Sequence, residues 1–341
     1  MVGFYIGATI GSFLNVVIYR LPRGLKLSQP TYSFCPKCEN RLTFADLLPL
    51  LSWLFLRGKC RHCKAGIPSR YFWVELITAS FFALIWWQQL VAGQDWIRAV
   101  GFSMFAAALV AAIFTDLAHY IIPDQVNAWM LGVGLAMNAC WIGYGLPDAW
   151  IAVYKSGGSQ WALPSSVAGA LAGIAVLWGI AFFGRLFFRK DAMGHGDIKM
   201  ARGIGAVLLP SLAFISFGLA VALGAIFGVV ILLLRRGSSE PTPSQDEGSE
   251  PELPPESLTS LLWCGLGYVL CIDVIGLFFP KVYEWWFGEN PYSVEEIEED
   301  PVVELTMIPF GPYLAAGALG AVLFGPQLMG LVQAYWRSVA G

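Results

Sequence analysis

Two groups of residues in this sequence could do chemistry. The first is Cys35-Pro36-Lys37-Cys38, then 21 intervening residues, then Cys60-Arg61-His62-Cys63. Each C-x2-C turn directs two thiolates at one point, and four soft donors with no redox demand suit zinc. A pair of disulfides is the alternative, which a reducing compartment disfavours. Four thiolates close the coordination shell, so such a site organises a loop and catalyses nothing itself. His62 is read as a bystander. The second group is a pair of carboxylates, Asp116 in FTDLAHYIIPD and Asp197 in GHGDIKM, 81 positions apart. Acids at membrane depth are expensive and are functional candidates by default. Two carboxylates brought close cannot both ionise cheaply, so they share a proton. One then acts as base toward water, the other as acid toward a scissile carbonyl or leaving amine. That is the chemistry of an aspartyl protease.

Each polar residue also has a plainer reading. Asp197 suits a helix cap after Gly194-His195-Gly196, and Asp124, following Pro123, suits the cap of the next helix. Asp116 suits a juxtamembrane charge, Asp273 an interface charge near a helix middle, and Lys199 a lipid headgroup contact. A cation such as His195 or Lys199 near Asp197 would favour its ionised form. Ser12 and Asn15 suit bonds between helices, and Arg70 an interface anchor; Glu75 completes the polar marks of that region. Asp116, Asp124 and Asp273 also fit a proton- or cation-coupled transporter, although paired helices with Gly/Pro interruptions are not evident. A non-catalytic scaffold presenting a zinc ribbon is a third possibility. Gly194-x-Gly196 lies in no strand-turn-helix context and gives no nucleotide site.

The elements that must position these residues follow from composition. The chain is 57% apolar and 13% charged, against roughly 45–50% and about 25% in soluble domains, with a mean hydropathy of +0.61. A water-soluble enzyme is excluded. Apolar stretches at 3–19, 71–93, 97–115, 125–146 and 162–188 are each long enough to span a bilayer. Residues 201–234 exceed one crossing, and Pro210-Ser211 offers a break, so a hairpin of two short helices is expected. Further apolar stretches are 258–280 and 308–335. The expectation is an all-α polytopic membrane protein, a bundle of eight or nine helical segments with a small cytoplasmic zinc-ribbon-like loop. Its parts are a first transmembrane helix (1–19), a zinc-binding loop (20–70), a transmembrane core (71–236), a disordered acidic linker (237–257), an inserted apolar helix plus acidic loop (258–307) and a C-terminal transmembrane helix (308–341).

Charge orients these parts. Six acids lie in 237–257 and seven in 289–304, with no Lys or Arg in either, whereas 20–70 holds ten Lys and Arg against Glu39 and Asp46. The positive-inside rule accounts for this better than nucleic acid does, and places the loop in the cytoplasm. The basic residues follow the first apolar stretch, opposite to a cleavable signal peptide, so that stretch is read as a retained span. Counting crossings puts Asp116 and Asp197 on the same inner leaflet. Cys140, Cys264 and Cys271 lie in apolar runs and read as packing residues. The count leaves open whether 258–280 crosses or re-enters.

In order, GSFLNVVIYRLP (11–22), the CPKC and CRHC knuckles, SRYFWVEL (69–76), TDLAHYIIPD (115–124), GHGDIKM (194–200) and IPFGPYLAAGA (308–318) resemble the blocks of the type IV prepilin peptidases. These are bifunctional leader peptidase/N-methyltransferases of bacterial inner membranes that carry a GxGD motif. The resemblance covers about 1–236 and resumes at 308. It implies that Asp116 and Asp197 are the catalytic pair, cutting the leader of a prepilin or pseudopilin after a glycine at the cytoplasmic face. It further implies methylation of the new N-terminus with S-adenosylmethionine, which Cys35, Cys38, Cys60 and Cys63 support indirectly. Residues near the methyl donor are implied within 11–22 and 69–76. The chain departs from the family pattern at 237–307.

Overall fold

A computed structural model describes residues 1–28, 32–35, 37–156, 159–189, 193–235, 257–290 and 309–340. The helices in chain order are α1 (Val2–Arg20), a short α2 (Leu51–Phe55), α3 (Arg70–Trp86), α4 (Trp96–His119), α5 (Asp124–Gly143), α6 (Ser165–Phe188), α7 (His195–Arg235), α8 (Leu258–Val269), α9 (Ile272–Phe278), α10 (Pro280–Phe287) and α11 (Gly311–Ala340). Among the described residues, seven helices (α1, α3, α4, α5, α6, α7 and α11) are long and apolar enough to cross a membrane, α3 being extended by the π-helical turn Trp87–Ala92. The acidic linker expected at 237–257 lies, Ser257 apart, outside the described residues, as does the acidic stretch 291–307.

Close contacts fix how these helices run. Gly3 faces Trp86, and Gly11 faces Glu75, so α1 and α3 are antiparallel. Met130 packs on Gly203 and Ala206 on Gly134, so α5 runs parallel to the start of α7. At Leu209 (φ 62°, ψ 166°) α7 breaks, because Pro210 lacks an N–H and restricts the residue before it. After the break, Leu212 packs near Gly325, Ser216 near Gly317, and Phe227 against Tyr313 at a ring separation of 5.9 Å. The second limb is therefore antiparallel to α11 and returns to the end of the bundle from which α7 began. Residues 201–234 form a hairpin. The same end carries the cysteine loop, the C-terminus of α4 and the start of α11.

The α8–α9 pair is bent by 68°. It leaves that end beside Arg185 and Arg189, packs along α6 through Trp178 to Leu261 O (3.1 Å), and sets Cys271 and Val274 against Leu131, Ala170 and Ala206 inside the bundle. The following α10 is back at the cysteine-loop end, where Tyr283 meets Asp124. Residues 258–287 thus dip into the bundle and return. Strands β1 (Trp150–Ser156) and β2 (Ser159–Pro164) form an antiparallel hairpin at the opposite end, an addition to the all-helical plan. Its signal is the Gly157-Gly158 pair between two β-prone runs in the sequence.

Candidate active site and metal centre

Asp116 sits in the last turn of α4, 6% exposed, and Asp197 is the third residue of α7, half-buried. The two come to one place through Ile122, whose side chain lies against Gly196, next to Asp197, and against Gly311, which borders Asp116 Oδ2. Four features hold them. The chain leaves α4 through Tyr120 in a left-handed conformation, with its N–H donating to Asp116 O at 2.9 Å. Ile122, buried, then packs between Gly196 and Gly311. Asn127 donates to Gly196 O at 3.5 Å, tying the glycine turn before Asp197 to α5. From a further side, Gly311 at the start of α11 lies directly against the Asp116 carboxylate. A β-carbon at Gly311 would collide with Asp116 Oδ2. Two adjacent carboxylates in this setting can hold one proton between them, one ionised and one neutral.

Asp197 lies within α7, so it does not cap it. Asp124 opens α5 after Pro123 and makes no side-chain cap bond. Its carboxylate instead receives Lys199 Nζ at 2.7 and 2.8 Å and the Tyr283 hydroxyl at 3.0 Å. Lys199 is 6% exposed, which replaces the expected headgroup contact with an internal ion pair. Asp273 is likewise no interface charge: it is 2% exposed and pairs bidentately with Arg202 at 2.9 and 2.5 Å. Sequence reading passed over Arg202, Tyr268, Tyr283 and Gly311. The available signal was Arg202 and Asp273 as opposite charges in two apolar runs, since buried charges come paired.

The four loop cysteines converge, their sulfurs all within 4.8 Å of one another and Cys35 Sγ 3.9 Å from Cys63 Sγ. The two knuckles repeat one design. Cys35 N–H donates to Asn40 O and Glu39 N–H to Cys35 O; Cys60 N–H donates to Ala65 O and Lys64 N–H to Cys60 O. Glu39 and Lys64 are both left-handed, and the bridges Phe34–Arg41 and Lys59–Gly66 close the two turns. Backbone N–H groups of Cys63 and His62 point at Cys60 Sγ and lower its thiol to about 7. None of the four is in a disulfide. This set can hold a metal ion, and among the described residues no other cluster of metal-ligating side chains occurs.

The knuckles roof a cavity of about 360 Å³ over α1 and α3. Leu50 N–H donates to Glu75 Oε2 at 2.7 Å, and Arg20, 6% exposed, donates to Leu27 O at 2.8 Å, so the loop is bound to the bundle at both ends. Burial opposes ionisation of Asp46, but bonds from Thr43 and Arg61 prevail and hold its carboxyl at about 2. Glu75 and Asn15, 8% and 4% exposed, line the floor. Asn15 Nδ2 donates to Tyr71 O at 3.1 Å, the expected bond between helices, while its Oδ1 has no protein partner.

Fold and site together define a multi-pass membrane protein with two carboxylates, one buried and one half-buried, at the end of the bundle that carries a four-thiol loop. Residues 5–89 match the Bacterial Peptidase A24 N-terminal domain and 103–229 the Type IV leader peptidase family. A prepilin leader peptidase/N-methyltransferase of Aeromonas salmonicida (strain A449) is 34% identical over 265 residues, covering 70% of this chain and 84% of that protein. One of Myxococcus xanthus (strain DK1622) is 31% identical over 344 residues, covering 95% and 90%. The type 4 prepilin-like proteins leader peptide-processing enzyme of Escherichia coli O78:H11 (strain H10407 / ETEC) is 32% identical, covering 66% and 82%. No solved structure matches the chain. The chain belongs to the prepilin leader peptidase/N-methyltransferase family.

Proposed function

We propose that this chain cleaves the leader of a prepilin or pseudopilin with Asp116 and Asp197, then methylates the new N-terminus. One observation carries the peptidase reading: two acids 81 positions apart come to the same end of the bundle, bridged by Ile122 between Gly196 beside Asp197 and Gly311 beside Asp116. The ionised carboxylate removes a proton from water as its oxygen attacks the scissile carbonyl carbon. The protonated one gives its proton to the carbonyl oxygen; the carboxyl that took water's proton then passes it to the amine as the C–N bond breaks, and the other recovers its proton as the product carboxyl group forms. Gly311, packed against the carboxylate, limits how far the Asp116 side chain can turn. A pilin subunit is a membrane helix, so its leader junction emerges at the depth of this pair. The ten basic residues of 20–70 support a cytoplasmic placement of that end, and in this reading the protein sits in a bacterial inner membrane.

The metal is zinc in this reading: four thiolates at about 2.3 Å from one ion set their sulfurs about 3.8 Å apart, against 3.9 Å for Cys35 and Cys63. It holds the roof of the cavity in place. The cavity has the size of a small-molecule site and suits S-adenosylmethionine, which supplies the methyl group when bound. Glu75 gives a buried negative charge and Asn15 Oδ1 an open acceptor for a cationic ligand, between apolar walls that include Trp53 and Tyr71. A transporter is not favoured, since Asp124 and Asp273 are both held in internal ion pairs.

The test is mass analysis of a prepilin co-expressed with each variant. Wild type gives a shortened, methylated product; Asp116→Asn and Asp197→Asn give the full-length precursor; Glu75→Gln gives the shortened product without the methyl group. Processing by either aspartate variant counts against the peptidase assignment, and full methylation by Glu75→Gln against the cavity.

A further inference from the structure

The segment 258–287, within the stretch 237–307 expected to depart from the family pattern, grips the helix that carries Asp197. Three separate polar links join them. The Tyr268 hydroxyl and His195 Nδ1 share a hydrogen bond of 2.8 Å. Tyr283 donates to Asp124, to which Lys199 is bound. Arg202, 1% exposed, donates to Tyr268 O at 2.7 Å and to both oxygens of Asp273. On α7 these anchors are residues 195, 199 and 202. A helix advances about 100° per residue, so 199 and 202 lie within about 40° of 195, while 197 lies about 200° round from it. The grip is on the back of the helix whose front presents Asp197 to Asp116.

We propose that 258–287 is a re-entrant clamp that sets the rotation of α7, and that Tyr268, Asp273 and Arg202 are positioning residues for the peptidase reaction. The first limb of α7 also packs on α6, Gly169 against Gly205 and Gly173 against Ala201, and on α5 through Met130 against Gly203; the polar links to 258–287 add a fixed register at the limb's start, where Gly194 and Gly196 precede Asp197. Rotating a helix of about 2.3 Å backbone radius by 25° moves its Cα atoms by about 1 Å, and misplacements of that size cost about 100-fold in rate. The charge pair belongs to the clamp because a lone guanidinium or carboxylate at that depth is untenable, so α7 cannot turn without taking Asp273 with it.

The proposal rests on Asp197 being half of the catalytic pair. Its test uses purified full-length protein in detergent with two substrates: a prepilin for cleavage, and an already shortened pilin for methylation. Because a lone buried charge could unfold the chain, Arg202→Met and Asp273→Leu are made together, replacing the ion pair by apolar volume, and Tyr268→Phe is made separately. The double variant is expected to lose about 100-fold in kcat for cleavage and Tyr268→Phe about tenfold, with KM within about twofold and methylation at the wild-type rate. Wild-type kcat in the double variant, a change in KM alone, or methylation falling in step with cleavage overturns the clamp. A wild-type protein that cuts no prepilin overturns the underlying reading instead, so the two failures are distinct.

Discussion

Gly311→Ala tests the site at its tightest point. The added methyl group would fall on Asp116 Oδ2, 3.2 Å from Asp116 Cγ and 3.0 Å from Ile122 Cδ1. Neither neighbour is the free end of a flexible chain: Asp116 is 6% and Ile122 7% exposed. The carboxylate or the start of α11 must therefore shift by on the order of 1 Å, and a misplacement of that size costs about 100-fold in rate. Cleavage of a purified prepilin should thus fall about 100-fold in kcat with KM little changed. Gly330→Ala is the control, on the same helix with nothing within 4 Å of the new methyl group, and should cut at the wild-type rate. Wild-type cleavage by Gly311→Ala would refute the close approach of α11 to Asp116.

Three further outcomes follow from the same contacts. The loop should hold one zinc ion per chain by metal analysis, and Cys38→Ser or chelation should lower both metal content and methylation while cleavage persists. Glu75→Gln should reduce methylation at least tenfold in a radiolabelled methyl-transfer assay, with S-adenosylmethionine affinity reduced in equilibrium binding, because the buried carboxylate is removed from a cationic ligand. Lys199→Met should destabilise the protein by about 3–5 kcal/mol in thermal unfolding, since it leaves the Asp124 carboxylate buried and uncompensated, and pairing it with Asp124→Leu should recover most of that loss.

What could be read in the sequence was what depends on local pattern. Apolar length marked the helices, and the Pro210 break marked the hairpin, because a span and a proline act through their immediate neighbours. The two C-x2-C turns announced themselves for the same reason. What could not be read was partnership across the bundle. Asp124 followed Pro123 and looked like a cap, yet its carboxylate binds Lys199, 75 positions away. Asp273 looked like an interface charge near a helix middle until Arg202 stood opposite it. Charge alone could not decide whether 258–280 crosses, because acids contribute little to orientation; the bend between α8 and α9 and the return of Tyr283 to Asp124 decide it. The glycine of IPFGPY gave no hint of its task, since only a neighbour's position shows where a side chain cannot go.

The central claim is that Asp116 and Asp197 act as one unit in breaking the peptide bond. Its most direct test is the rate of prepilin cleavage by purified Asp116→Asn, Asp197→Asn and the double variant. Residues that act together are not additive. Each single variant should lose on the order of 10⁴-fold, and the double no more than either alone. A single variant that cleaves at the wild-type rate, or a double whose loss is the product of the two single losses, would contradict it.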